Sequence, residues 1–234
     1  WGRARNDRID LGSILSARPS LRQITSEKGT NVAPGGAGWA AGSLFELIDR
    51  RSNTGLFALE GMQPDYLVCD DLGNELADFI AFDKDPKRVV LVHAKVASTN
   101  SNVSASAFHD VCGQAIKNLD LLVPQHDREP KDLRVFSRSW NHRDIGTVTS
   151  RTRINTDGHT PSAAWKEFQR LVRHPETQRE VWIVMGSGLS LGEFETERRR
   201  DRPRGQVIQL IYLLQGTWNA VSATGARLRV LVRP

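Results

Sequence analysis

The chain has 234 residues, of which 39% are hydrophobic and 25% are charged, values that exclude a disordered or fibrous class and are typical of a globular domain. No run approaches the roughly 20 apolar residues that span a bilayer, and no charged-then-apolar leader opens the chain, so we expect no membrane partner and a cytoplasmic location. The net charge of +5 and the pI near 9.6 favour a polyanionic partner such as nucleic acid.

Residue usage also indicates how the chain is organised. Cys69 and Cys112 have no second Cys or His at metal-binding spacing, so we expect buried thiols and no structural zinc. The chain begins with Trp1 and basic and polar residues, and we expect it to be part of a longer protein. Residues 1–42 are predicted to be a basic, loop-rich segment that adds little to the core, and residues 43–234 a single α/β domain.

Hydrophobic periodicity predicts the elements of this domain in chain order. A short helix begins after the N-cap Ser43, and a longer one begins at Thr160-Pro161. Helical periodicity also covers residues 108–119 and 206–218, and strands are predicted at 66–70, 75–82, 88–97, 133–136, 181–185 and 228–232. Early strands followed by alternating helices and strands predict a mixed central β-sheet flanked by helices.

Three polar residues lie on two neighbouring predicted strands. Asp78 is on the second strand, and alternation places His93 and Lys95 on one face of the third. Asp and Lys are depleted in strands and costly to bury unpaired. A functional constraint would explain them, and so would a cross-strand ion pair between Asp78 and Lys95, and the two explanations are about equally favoured by these residues alone.

Four parts follow one another in the sequence: a helix with Glu46, a hairpin with Asp78, a strand with His93-Ala94-Lys95 and a helix with Gln114. Their order resembles the core of the PD-(D/E)xK, or restriction-endonuclease-like, nucleases over residues 43–120. Residues 69–80 and 114–119 are also similar to nuclease-like segments appended to bacterial helicase-type proteins involved in defence against foreign DNA. The resemblance implies an endonuclease or nickase for DNA, less often RNA, joined to other domains such as a helicase.

The resemblance also implies a role for each of these residues. In that family the Asp binds a divalent metal and the Lys assists the attacking water, positions taken here by Asp78 and Lys95. Glu46 corresponds to an additional ligand on the preceding helix, and Gln114 to a glutamine near the site. The implied cofactor is Mg²⁺ or Mn²⁺.

One position departs from the family pattern, because His93 stands two residues before Lys95 where the family has Asp or Glu. Imidazole suits Mn²⁺ better than Mg²⁺. His93 is therefore a candidate metal ligand, a candidate general base, a mark of lost cleavage or a structural histidine, and the sequence leaves these four open.

Other polar groups have structural as well as functional interpretations. Asp110, Gln114 and Lys117 share one helix face, which points either to the site or to solvent. The arginine run at 198–204 could contact phosphates, but acidic residues just before it favour a charge-balanced exposed loop. The role of Asp65 is left undecided. Three further acids, Asp70, Asp71 and Glu75, lie near the hairpin turn, and we expect Asp71 and Glu75 to frame that turn.

Three functions therefore compete. The first is a metal-dependent nuclease. The second is a catalytically inactive nuclease-fold module that binds nucleic acid. The third is a protein-assembly domain that docks through the apolar helix at residues 207–218. No GxGxxG motif, P-loop or nucleophile elbow is present to suggest other chemistry.

Overall fold

A seven-stranded mixed β-sheet and a separate two-stranded hairpin are the β-structure of the computed structural model, which describes residues 11–97 and 102–234. In chain order the strands are β1 Leu15–Ala17, β2 Tyr66–Cys69, β3 Phe79–Lys84, β4 Lys87–Lys95, β5 Trp140–His142, β6 Gly146–Val148, β7 Thr152–Asn155, β8 Gln178–Met185 and β9 Arg227–Val232. The helices are α1 Leu11–Ile14, α2 Leu44–Asp49, α3 Leu56–Leu59, α4 Ala105–Lys117, α5 Pro161–Arg173, α6 Leu191–Arg198 and α7 Gly205–Ala223. The expected fold class, a mixed sheet flanked by helices, is confirmed.

Strand β4 lies at the centre of the sheet, in the order β1-β9-β8-β4-β3-β2-β7. It pairs parallel with β8 and antiparallel with β3, so the sheet changes direction across it. The run Val89 to Val92 is buried because helices or loops cover both faces, which explains its continuous apolar sequence.

The two faces of the sheet have different covers. Helices α4, α5 and α7 pack on one face, through buried residues that include Phe108, Phe168 and Leu214. Helices α2 and α3, the β5–β6 hairpin and Trp39 cover the other face. The predicted caps hold, since Ser43 and Thr160 accept the backbone N–H groups of Glu46 and Ala163 at 3.2 and 3.3 Å.

Some predictions about local structure were wrong. Residues 133–136 form part of a 3₁₀ helix, Leu133–Ser137, because the Asp132 side chain caps it by accepting the Arg134 N–H at 3.0 Å. The short strands β1, β5, β6 and β7 and helix α6 were not predicted. Each of these strands has only three or four residues, too few to show a period, and α6 has only two large apolar side chains among its eight residues.

The N-terminal segment contributes more to the core than expected. Strand β1 pairs parallel with β9 at the edge of the sheet. The side chains of Leu21, Ile24 and Trp39 are buried against the face that α2 covers. Residues 1–10 of this segment lie outside the described residues.

Two further findings concern the expected environment. Cys69 and Cys112 are buried free thiols, as predicted. Among the described residues, no helix is both long and apolar enough to cross a membrane.

Trp39 tests whether the N-terminal segment is integral to the fold. Its ring is 2% exposed and meets the rings of Phe45, Phe79 and Trp140 edge-on at centroid distances of 5.4, 5.5 and 6.0 Å. We expect Trp39→Ala to lower the free energy of unfolding by about 3–5 kcal/mol in urea denaturation, because it leaves a cavity that the sheet cannot fill. The matched control is Leu59→Ala, whose side chain is 45% exposed and whose effect should be about 0.5 kcal/mol. Equal effects of the two variants would contradict an integral N-terminal segment.

Candidate functional site

A cavity of about 250 Å³ opens beside α4, at the end of the β3–β4 pair opposite its connecting turn. It brings together Asp78, His93 and Gln114, three of the five site residues predicted from the sequence. The other lining residues are Asp71, Leu72, Glu75, Ala77 and Lys117.

Asp78 lies one residue before β3 and contacts β4 on either side of His93. Its backbone N–H donates to the Val92 carbonyl at 3.0 Å, and its carboxylate Oδ2 accepts the Ala94 N–H at 2.7 Å. Regular pairing of the two strands ends at Phe79 and Val92. Just beyond this pair, the Asp78 carboxylate accepts the β4 N–H that faces β3.

The electrostatic surroundings of Asp78 favour its neutral form. Burial raises the pKa of Asp78 to about 7, against the hydrogen bond from Ala94, which lowers it. The nearby carboxylates of Asp71 and Glu27 raise this pKa further, and the ammonium of Lys28 lowers it. An acid held in this way accepts a cation readily, because a positive charge relieves the cost of burying its ionised form.

In contrast to the partly buried Asp78, His93 is a buried polar residue of the cavity lining. It is 2% exposed, and its Nε2 atom has no hydrogen-bond partner among the described residues. Burial lowers the pKa of His93 to about 4, so the imidazole is neutral near pH 7. A neutral ring with a free nitrogen can bind a metal ion or take up a proton.

Asp71 is fixed from both sides at the wall of the cavity. Its Oδ1 atom accepts from the Lys28 ammonium at 3.1 Å, and its Oδ2 atom accepts from the indole N–H of the buried Trp140 at 2.8 Å. Lys28 also lies 3.1 Å from a Glu27 carboxylate oxygen and 4.9 Å from the centroid of the Phe45 ring. Burial alone would lower the pKa of Lys28, but the two carboxylates raise it, so the ammonium stays charged.

The patterns in the sequence do not predict the Lys28–Asp71 ion pair. Asp71 had been interpreted as a turn residue, and Lys28 belongs to a segment without periodicity. The two residues are 43 positions apart, and only the packing of residues 26–28 against the start of α2 brings them together, through hydrogen bonds from Leu44 and Phe45 to the carbonyls of Ser26 and Glu27.

Asp70 and Asn118 organise the turn between β2 and β3. The Asp70 carboxylate accepts the N–H groups of Asn74 and Leu76 at 2.8 and 2.9 Å, and burial raises the pKa of Asp70 to about 6. The Asn118 side chain, just after α4, donates to the carbonyls of Glu75 and Leu76, both at 2.9 Å. The turn is thereby attached to the helix that carries Gln114.

The structure does not bring Lys95 and Glu46 to the cavity. Alternation puts Lys95 on the sheet face of His93, two residues further along β4, and within the described ranges its ammonium has no ion-pair partner. The alternative of an Asp78–Lys95 ion pair is therefore not formed. The Glu46 carboxylate is 2.7 Å from the Arg50 guanidinium, one helical turn along the chain, and does not line the cavity, so its role as a ligand stays a prediction.

The remaining polar candidates have structural partners. Asp65 accepts the Lys84 N–H at 2.9 Å, far from the cavity, and so supports strand pairing. Asp110 lines a different, shallower groove, although Gln114 and Lys117 of the same helix face do reach the cavity. Four of the five arginines in the 198–204 run pair with acids of α6, as expected for a charge-balanced surface: Arg198 and Arg199 with Glu195, and Arg200 and Arg204 with Glu197.

The residues at the cavity would supply only part of the coordination shell of a metal ion. In residues 11–97 and 102–234, no group of three His, Cys, Asp or Glu side chains is close enough to hold a metal by itself. Asp78, Asp71 and His93 nevertheless line one cavity, and the Nε2 atom of His93 has no hydrogen-bond partner among the described residues. Mg²⁺ usually takes one or two protein carboxylates and completes its shell with water and substrate phosphates. The donor set is therefore compatible with a metal site that a substrate completes.

Comparison of the chain with models of protein families, with curated proteins and with solved structures found no match.

The raised pKa of Asp78 predicts a pH-dependent stability. The folded-state value of about 7 lies above the ordinary value of 3.8, so the folded state binds more protons between these values and loses stability as pH rises from about 4 to 7. Asp78→Asn removes this penalty. We expect the variant to match the parent near pH 4 and to exceed it at pH 8, by at most about 4 kcal/mol at about 1.4 kcal/mol per pKa unit.

The measurement is urea unfolding of both proteins across this pH range in the presence of a chelator. An Asp78→Asn protein that is less stable than the parent at pH 8 would show that the fold stabilises the ionised carboxylate.

Proposed function

We propose that this protein is a divalent-metal-dependent nuclease that hydrolyses phosphodiester bonds, in DNA more than in RNA. The observation that supports the proposal is the shared cavity of Asp78, neutral His93 and Gln114 at the end of the β3–β4 pair. These residues come from the same sequence of elements that resembles the PD-(D/E)xK nucleases. The net charge of +5 favours a polyanionic substrate.

Each residue of the cavity has a role in this proposal. Asp78 and His93 would hold Mg²⁺ or Mn²⁺, which supplies positive charge beside the phosphate and makes a bound water more acidic. Asp71 keeps a fixed negative charge next to them, because Lys28 and Trp140 restrain both of its oxygens. Gln114 offers an amide donor to a phosphate oxygen or a water, and Lys117 adds a cation at the exposed rim.

The proposed biological setting follows from the same resemblance. The chain would act as one domain of a longer helicase-type or defence protein, in the cytoplasm, where its nucleic-acid substrate is available.

Two other functions have their own supporting observations. A binding module without cleavage is favoured by His93 in place of a carboxylate and by the lack, among the described side chains, of a three-residue metal group. An assembly domain is favoured by Ile208 and Tyr212, which leave apolar surface of α7 exposed. A protein that binds nucleic acid without cutting it would support the binding module. A protein that neither binds nor cuts nucleic acid would leave the assembly domain.

Cleavage assays with Asp78 variants test the proposed function directly. Plasmid and single-stranded DNA are incubated with the protein and Mg²⁺ or Mn²⁺. We expect the parent to cut, and Asp78→Asn to cut at least about a hundredfold more slowly, because charge stabilisation at the phosphate is lost. The matched control is Glu176→Gln, an exposed carboxylate near the opposite end of β4 that pairs with Lys87, and it should cut like the parent. Undiminished cutting by Asp78→Asn would contradict the site.

Lys95 receives a separate test, because the resemblance implies a catalytic ammonium at this position. We expect Lys95→Ala to retain its fold and most of its nucleic-acid affinity, since one cation among several supplies only part of the salt-dependent binding. Lys95 does not line the cavity, so the resemblance requires its ammonium to reach the phosphate once substrate is bound, and on that ground the cleavage rate should fall by about a hundredfold. A variant that cuts at the parental rate would leave Lys28, the cation that influences Asp78, as the ammonium of the site.

A further inference from the structure

Leu72 is an exposed apolar side chain at the rim of the Asp78 cavity. It is 50% exposed and lines the cavity together with Asp78, His93 and Gln114. The other exposed residues of the cavity lining are polar, namely Glu75, Gln114 and Lys117. Of these, Glu75 and Lys117 lie 3.8 Å apart as an ion pair. An apolar side chain in this setting leaves hydrophobic surface in water beside a site for a polar substrate.

The backbone of Leu72 adopts a conformation that leucine rarely takes. Its φ angle is +56°, in the left-handed region, where a residue with a Cβ atom is disfavoured by about 1–2 kcal/mol. Glu75, at the other end of the same turn and also at the rim, has the same φ angle. Such strain persists only where the surroundings fix the conformation, and it concentrates at binding and catalytic sites.

Several contacts fix this turn in place. The buried guanidinium of Arg151 donates to the carbonyls of Asp71 and Leu72 at 2.6 and 3.3 Å. Asn74 and Asp132 exchange two hydrogen bonds, of 3.1 and 3.3 Å. At Gly73 a Cβ atom would lie 2.5 Å from an Asp70 carboxylate oxygen, so a larger residue has no room. The side chain of Leu72 therefore projects from a rigid support.

We propose that Leu72 is a wedge that enters a base step of duplex DNA next to the phosphate held in the cavity. A duplex that places a backbone phosphate beside Asp78 brings its stacked bases against the rim. A rigid leucine can then insert between two base pairs, bury its apolar surface and kink the duplex. The cost is lowest at flexible pyrimidine–purine steps, so Leu72 selects duplex DNA that opens easily at such a step.

This inference rests on the proposed function, and it adds an expected difference between duplex and single-stranded DNA. Leu72→Ala should weaken binding and slow cleavage of a duplex by about tenfold, because the buried apolar surface is lost. The same variant should act on the matching single strand like the parent, because an unstacked strand needs no wedge. Leu72→Met, which keeps an apolar side chain of similar length, should restore most of the duplex activity.

The experiment measures binding and cleavage of both substrates for the parent, Leu72→Ala, Leu72→Met and Leu59→Ala. Leu59→Ala is the matched control, since this leucine is 45% exposed but does not line the cavity. A duplex with 2-aminopurine at a TA step reports insertion as a rise in fluorescence, which the parent should produce and Leu72→Ala should not. Thermal unfolding of each variant confirms that it is folded.

The wedge is overturned if Leu72→Ala matches Leu59→Ala on the duplex, or if it loses duplex and single-strand activity equally. Either result leaves the nuclease proposal standing, provided that the parent cuts. A parent that binds the duplex without cutting overturns the nuclease proposal, and the 2-aminopurine signal then decides on the wedge. A parent that binds no duplex overturns the wedge, and it overturns the nuclease proposal as well if it also cuts no single strand.

Discussion

The hydrogen bond from the Ala94 N–H to the Asp78 carboxylate is the interaction on which the site depends. It ties the start of β3 to the end of β4 just beyond their last regular pair, where a side chain and not a strand carbonyl accepts the N–H. The space that remains between the strands and α4 is the cavity where His93 and Gln114 meet Asp78. This one hydrogen bond therefore both extends the contact between β3 and β4 and positions the carboxylate of the site.

This arrangement carries an electrostatic cost that the N-terminal segment partly offsets. Asp78, Asp71 and Glu27 interact as like charges, and burial raises the pKa of Asp78 to about 7. Lys28 lies against Asp71 and Glu27 and lowers this pKa. In the proposed nuclease a bound metal ion would relieve this remaining cost, a compromise between stability and function.

Side chains next to three elements hold the turn at the wall of the cavity. Asp70, Arg151 and Asn118 satisfy backbone groups of the turn that carries Asp71 and Leu72, and they hold it against β2, β7 and α4. Asp71 and the strained Leu72 require such support, because loss of any of these contacts would let the turn relax.

The sequence by itself determined the elements that have a strong local period: β4, α4, α5 and the hairpin that puts Asp78 near His93. Alternation and capping are properties of neighbouring residues, so a sequence records them. Only the tertiary structure decided that Lys28 reaches Asp71, because the two are 43 positions apart, with loop, helix and strand between them. It also decided that Glu46 pairs with Arg50, since a helix period fixes the face of a side chain but not the partner that this face meets.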